Sequence, residues 1–393
     1  MFELEEVVTA ETGSTVIKVV GVGGAGGNAV EHMIREGVGG VEFICCNTDA
    51  QALNKSTAHV KLQLGPGLGA GGKPEKAREL AVLDRERIAD ALRGAHMVFI
   101  TAGMGGGTGT GAGPVVAEVA RELGILTVAV VTKPFEYEGK RKRLAEEGVA
   151  ELALHVDSLI IILNEKLEEV LGDEISMLEA FQAADNVLRN AVGGIAEIIN
   201  VPGLVNVDFE DVRTVMGEMG KAMMGSAVAA GVDRARVAAE EAVASPLLEG
   251  IELSGARGVL VNITASTTLG LKEYKEVMRT IRQYTAPEAT VICGAVFDET
   301  MEDQLRVTVV ATGLGIVAAR EAAKPSMRVV ETIGLRTGTD NLQVFDVGTG
   351  QVDLSSVTSS ARGSMPRNAQ ADAMAASGVD KYDIPAFLRR QSD

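Results

Sequence analysis

The chain has 393 residues, 46% of them hydrophobic, enough for a sizeable core and too apolar for a disordered protein. Its formal net charge of −17 repels phosphate backbones and argues against a nucleic-acid partner. No apolar run reaches the ~18 residues of a bilayer span, the N-terminal MFELEEVV is acidic where a secretion signal is basic, and Cys45, Cys46 and Cys293 form no CxxC pair. A cytoplasmic protein with no direct membrane insertion, no disulfide framework and no zinc site is expected.

Residues 16–22 (VIKVVGV) read as a buried strand running into a glycine loop, GVGGAGGN, at 21–28. A helix is predicted from Asn28, which has capping-box spacing to Glu31, as far as Gly37. A second strand covers 41–46, with Asn47 and Asp49 just beyond its end. The apolar run 96–101 is a further strand, followed by GGGTGTG at 105–111 and a helix predicted to begin near Pro114 and stop at Gly124. Strands at 125–132 and 158–163 continue the alternation, which predicts an α/β fold with a parallel sheet and right-handed crossovers.

Ser176 and Glu179 have capping-box spacing at the start of a long helix ending near Asn200, with Phe181 on its apolar stripe. The expected organisation is a nucleotide-binding domain at 1–175, a central helix at 176–204 and a smaller α+β C-terminal domain at 205–316. The last of these has strands at 258–265, 289–297 and 305–312 and a helix at 272–284. From 317 to 379 Ser, Thr, Gly, Ala, Gln and Pro increase and periodicity is lost, as in a disordered linker. Residues 380–393 hold the run DIPAFLRR, from Asp383 to Arg390, a short helix signal with Ile384, Phe387 and Leu388 on one face. Such a stripe suits another protein's groove; the alternative is a frayed tail.

Glycine loops between a strand and a helix let backbone N–H groups approach phosphate. Taken alone, Gly21, Gly23 and Gly26 match a dinucleotide fingerprint, GxGxxG, or a tight turn. The second loop has no lysine, so it is not a Walker A loop, and Thr108 and Thr110 offer hydroxyls to phosphate or to the water around Mg²⁺. Two cradles from neighbouring strands suit one polyphosphate. Farther on, Asp208 and Asp211 stand three apart at a helix start, either as paired carboxylates or simply as a cap and a dipole partner.

The run AGMGGGTGTGAGPVVAEVARELG, with VVGVGGAGGNAVEHM, NTDAQAL, HVDSLI, AADNVL, NVDFEDVRTVM, LRVTVVATG and the terminal DIPAFLRRQ, resembles the tubulin/FtsZ family of GTPases, in particular its bacterial cell-division members. The resemblance covers 16–316 nearly without a break and returns at the tail. It implies GTP and GDP as ligands with Mg²⁺, and hydrolysis in a head-to-tail homopolymer at the mid-cell division ring. It also implies membrane-tethering and regulatory division proteins as partners of the tail.

By the same resemblance, Gly24, Ala25, Gly26, Gly27 and Asn28 contact the α- and β-phosphates. Gly106, Gly107, Thr108 and Gly109 contact the β- and γ-phosphates, Ala70 and Gly71 the γ-phosphate. Asn47 and Asp49 lie beside the nucleotide, Glu138 takes the ribose hydroxyls, and Phe181 and Asn186 face guanine. Counting back from Ala145 and Gly148 selects Arg141 as a further ligand; counting forward from Glu138 selects Lys142. A guanidinium, the better bidentate partner, favours Arg141. Asn206, Asp208 and Asp211 form the loop that enters the next subunit's site. The segment after Leu64, GPGLGAGGKPE, is about four residues shorter than the family's usual loop.

Overall fold

The computed structural model describes residues 15–172, 175–201, 207–218, 220–245 and 255–314, all within one compact unit. Asn206, the linker at 317–379 and the tail from Asp383 to Arg390 lie outside the described residues. β1 (Ile17–Val22) runs directly into α1 (Gly23–Arg35), and β2 (Val41–Asn47) is followed by α2 (Ala50–Lys55). β3 (Val60–Gln63) precedes α3 (Pro74–Leu83) and α4 (Arg85–Leu92). Next come β4 (Met97–Gly103), α5 (Thr108–Glu122), β5 (Leu126–Lys133) and α6 (Lys140–Leu152). β6 (Ser158–Leu163), α7 (Asn164–Leu171) and α8 (Met177–Asn200) complete the first part. Beyond them lie α9 (Phe209–Met216), β7 (Gly220–Ala230), α10 (Arg234–Val243) and β8 (Gly258–Ala265). The last are α11 (Leu271–Tyr284), β9 (Thr290–Phe297) and β10 (Gln304–Leu314).

The strands form one ten-stranded sheet, ordered β3-β2-β1-β4-β5-β6-β7-β10-β8-β9. All pairs are parallel except those of β10 with β7 and with β8. β1, β4, β5 and β6 are buried on both faces, which is why they read as nearly unbroken apolar runs rather than alternating ones. The junction between the two halves of the sheet is short, only Ser158, Leu159 and Ile160 of β6 pairing with β7. α8 covers it: Ser176 and Glu179 cap each other reciprocally, and Leu188, Val192 and Ile195 enter a core shared by β1, β4, β5, β6, β8 and β10. A second core lies under α3, α4, α5 and α6, and a third under α10 and α11.

Two predicted helix starts are wrong, for one reason. α1 begins at Gly23, not Asn28, and α5 begins at Thr108, with Pro114 inside it rather than at its head. Glycine in a helix costs about 1 kcal/mol against Ala, so glycine runs read as loop. Here close packing needs them: a Cβ on Gly26 would strike the carbonyl oxygen of Thr101 on β4. Glu31 is consequently not the partner of a capping box. Its carboxylate accepts from Ser56 Oγ at 2.7 Å and from Thr57 N at 2.6 Å. Burial alone would raise its pKa; these hydrogen bonds outweigh that and hold it below the usual range. Burial also pushes the thiols of Cys46 and Cys293 up to about 12 and about 11, so neither is a nucleophile at neutral pH.

Candidate functional site

The sheet reverses its order between β1 and β4, the chain leaving β1 toward β2 and β4 toward β5. In open α/β sheets, ligands bind in the crevice outside the carboxyl ends of strands at such a switch. Val22 and Ala102 are paired, so the two strands end side by side. One residue beyond Val22 stands the first turn of α1; five beyond Gly103 stands that of α5. Neither helix has a side-chain hydrogen bond at its N-cap, and neither first turn carries an acid. Two sets of unpaired N–H groups and two positive dipole ends therefore share one crevice, an anion site built from backbone.

The glycines divide into two groups. A Cβ on Gly23 would lie 2.9 Å from Gly109 N, and one on Gly107 would lie 3.0 Å from Ala70 Cβ and 3.1 Å from Lys73 N. These contacts lock the loops at 23–28, 69–73 and 105–109 against one another. Gly24, Gly27, Gly71 and Gly106 are different: a Cβ there meets nothing within 4 Å. They border open space, as a cradle for phosphate requires. Gly105 has φ +95, a conformation that strains other residues, and its Cα lies against Arg141.

The two hydroxyls of this loop are not free. Thr110 is buried and its Oγ1 accepts from Gly105 N at 2.9 Å, so it braces the loop and does not reach phosphate. That corrects the expectation for Thr110; with the helix starting at Thr108, it belongs to the first turn and points inward. Thr108 Oγ1 pairs at 2.7 Å with Oγ1 of Thr48, which stands between Asn47 and Asp49 and which no sequence signal singles out. Leu64 and Gly69 donate to the carbonyls of Asn47 and Thr48, tying the short loop to the end of β2.

Asn28 and Asn47 line a cavity of about 230 Å³ with Gly24, Gly27, Cys45 and Lys55. Asp49 caps α2, its Oδ1 accepting from Gln51 N at 2.8 Å. Across the crevice, Glu138 is largely shielded and accepts from Phe135 N and, at 2.6 Å, from Arg141 Nη1. Lys142 instead reaches Glu136 at 2.7 Å, while the Arg141 backbone sits against Gly105. Phe181 is not in the core, as its place on the apolar stripe allowed; it is 47% exposed and meets Phe135 edge-on with centroids 6.1 Å apart. Asn186 is exposed on α8, with Oδ1 2.7 Å from His32 Nε2 on α1.

Asp208 and Asp211 are elsewhere. Asp208 is the N-cap of α9, accepting from Asp211 N at 2.8 Å, and both side chains are exposed. The next residue, Phe209, meets His96 edge-on at 6.1 Å, and His96 immediately precedes β4. The glycine loop follows the other end of β4. Seven residues at about 3.3 Å each put roughly 23 Å of strand between the two. The carboxylates thus stand at the opposite end of the strands from the crevice between α1 and α5.

Asp185, beside Asn186, has its carboxyl pushed up to about 6 by burial, with His32 and Arg35 acting the other way. A raised folded-state pKa means that the stability linked to this group is complete below about pH 4 and is lost as pH rises to about 6. Asp185→Asn is therefore expected to stabilise the chain at pH 8 by about 1–2 kcal/mol, less than full linkage because the group is only partly buried. Urea midpoints at pH 8 and pH 4 check this; the same gain at both would contradict it.

Fold and crevice together define a nucleotide-binding α/β protein of the two-glycine-loop kind, without a P-loop lysine. The model of the tubulin/FtsZ family GTPase domain matches residues 16–172, and that of the FtsZ family C-terminal domain matches residues 220–315. The chain is 52% identical to the cell division protein FtsZ of Pseudomonas aeruginosa over 412 aligned residues, and 53% identical to that of Azotobacter vinelandii over 404, covering 100% of both chains in each case. Among solved structures, the empty FtsZ dimer of M. jannaschii is 43% identical, with a TM-score of 0.74 over 78% of this chain and 90% of that one. CetZ2 of Haloferax volcanii, 21% identical with a TM-score of 0.67 over 78% of this chain and 96% of that one, shares the fold. The chain belongs to the tubulin/FtsZ family and carries its GTPase domain.

Proposed function

We propose that this protein binds GTP and GDP in the crevice between β1 and β4 and hydrolyses GTP as a head-to-tail filament serving the cytoplasmic ring at which bacteria divide. The observation that carries this reading is the pair of uncapped helix N-termini meeting over glycines that border open space. Gly24, Ala25, Gly26, Gly27 and Asn28 hold the α- and β-phosphates; Gly106, Gly107, Thr108 and Gly109 hold the β- and γ-phosphates. Ala70 and Gly71 close over the γ-phosphate, and Asn47 and Asp49 stand beside the nucleotide. Glu138 takes the ribose hydroxyls, with Arg141 rather than Lys142 beside it, because Lys142 is paired with Glu136. Phe181 and Asn186 receive the base.

Among the described residues no cluster of three or more His, Cys, Asp or Glu side chains is placed to hold a metal ion. Phosphate oxygens, water and the hydroxyls of Thr48 and Thr108 are the hard oxygen donors that suit Mg²⁺, which would offset phosphate charge when bound. Water attacks the γ-phosphorus, the bond to the β,γ-bridging oxygen breaks, and GDP and phosphate leave. The attacking water is oriented by Asp208 and Asp211 of a neighbouring subunit, with Asn206 of the same loop. The distance of roughly 23 Å along β4 supports action between subunits, since a head-to-tail contact brings opposite ends of the strands together. The segment from Asp383 to Arg390 binds membrane-tethering and regulatory division proteins.

Phosphate release per subunit, measured across protein concentrations, tests the shared site. It is expected to rise from near zero to a plateau where light scattering reports filaments. A constant specific rate at every concentration would overturn it.

A further inference from the structure

The two ends of α9 are held differently. Its last turn is tied down by buried hydroxyls: Ser158 Oγ donates to the Met216 carbonyl at 2.6 Å, and Thr312 Oγ1 to that of Val215 at 2.7 Å. Val212, Val215 and Met216 complete that anchor in the core. The first turn carries the exposed carboxylates of Asp208 and Asp211, and beside Asp208 stands Phe209, only partly buried. Arg213, one turn on, lies over the Phe209 ring with its guanidinium carbon 6.0 Å from the centroid. From the start of β4, His96 meets the same ring edge-on, centroids 6.1 Å apart and planes at 66°.

His96 is itself fixed. Its backbone N–H donates to the Val16 carbonyl at 2.9 Å and its carbonyl accepts from Leu126 N at 3.2 Å, so its main chain belongs to the sheet although the residue is exposed. The ring is held as well: Val16 N donates to Nδ1 at 3.0 Å, which puts the ring proton on Nε2. A ring tied to the sheet and set against Phe209 fixes the tilt of the helix start. With 8 residues α9 is about 12 Å long, so a pivot of about 10° at its anchored end moves Asp208 by roughly 2 Å. A displacement of about 1 Å can cost a reaction about 10²-fold. We propose that His96 is a positioning residue for hydrolysis: through Phe209 it sets the angle at which α9 offers Asp208 and Asp211 to the neighbouring subunit's nucleotide. This rests on the reading that these carboxylates act between subunits.

GTP turnover in filaments of the full chain, read beside GTP affinity before assembly and the onset of light scattering, separates positioning from structure. His96→Asn sets an amide oxygen near the place of Nδ1, so Val16 keeps an acceptor, but brings no ring to Phe209. It is expected to slow turnover about tenfold with affinity and onset unchanged. His96→Phe restores a ring edge against Phe209 and is expected to recover most of the rate. His96→Asn combined with Asp211→Ala should cost less than the product of the two separate losses, since a group that His96 aims is already gone. A full product would mean that His96 acts elsewhere; an onset that rose with the loss would make it a contact between subunits. Either result overturns the proposal. If Asp211→Ala leaves turnover unchanged, the carboxylate reading fails and the positioning role with it. If Asp211→Ala slows turnover and His96→Asn does not, only the positioning role is wrong. Phe209→Leu, which keeps an apolar side chain but no ring for His96 to meet, is the second variant should His96→Asn not fold. It is expected to slow turnover likewise, and an unchanged rate would equally sink the proposal.

Discussion

Asp211→Ala is expected to slow GTP turnover in filaments about 10²–10³-fold while leaving the GTP affinity of the unassembled chain unchanged. Asp211 is exposed in the first turn of α9, and its backbone N–H, not its carboxylate, makes the hydrogen bond to Asp208. The substitution therefore costs the fold little. Asp208 is a poorer probe, because its carboxylate is the N-cap acceptor and removing it costs about 1 kcal/mol of helix stability besides any effect on water. With turnover slowed and assembly intact, filaments of Asp211→Ala should outlast those of the parent after a single addition of GTP. An affinity that fell in step with turnover would mean that Asp211 touches the nucleotide of its own chain, contrary to its place at the far end of β4.

The glycine loops and most strands are readable in the sequence because these are the strongest local signals. The strands at 158–163 and 258–265 have the bounds predicted for them, each being a continuous apolar run between turn signals. β7 has no sequence signal: GKAMMGSAVAA is Ala, Gly, Ser, Met and one Lys, with one β-branched residue in eleven, and it is a strand because β6 and β10 pair with it. Phe181 shares its apolar stripe with Leu188, Val192 and Ile195, which are buried, but at the start of α8 the stripe runs past the core: Leu178 and Phe181 are exposed, and the Phe181 ring meets Phe135 edge-on. The hydrogen bond between His32 and Asn186 has no periodic signature, since it joins residues 154 apart on two helices. The separation of the Asp loop from the glycine loops was equally illegible, because it depends on which end of β4 each one meets. Local pattern sets the elements; sheet order and close approach decide which groups share a site.

That division can be tested within the second loop itself, with one methyl group at two positions. Gly106→Ala is expected to unfold at the parent's urea midpoint, since its Cβ would meet no protein atom within 4 Å. The same methyl enters the space between the two helix N-termini where, on the proposed reading, a phosphate oxygen would stand about 2.9 Å from its N–H donors. Pushing that oxygen away weakens charge-assisted hydrogen bonds worth about 1.5–3 kcal/mol each, so GDP should bind at least tenfold more weakly. Gly109→Ala reverses the pattern. Its Cβ would stand 2.6 Å from the Gly103 carbonyl oxygen and 3.4 Å from both Ala102 Cβ and the Val22 carbonyl oxygen, at the ends of β4 and β1. Backbone there has nowhere to go, and destabilisation of about 1–3 kcal/mol is expected without nucleotide. Urea unfolding of the nucleotide-free chains and GDP titration separate the two effects. If Gly106→Ala lost stability as Gly109→Ala does, the loop would be a packed turn rather than a cradle. If it kept both stability and GDP affinity, the crevice between α1 and α5 would not be where the phosphates lie.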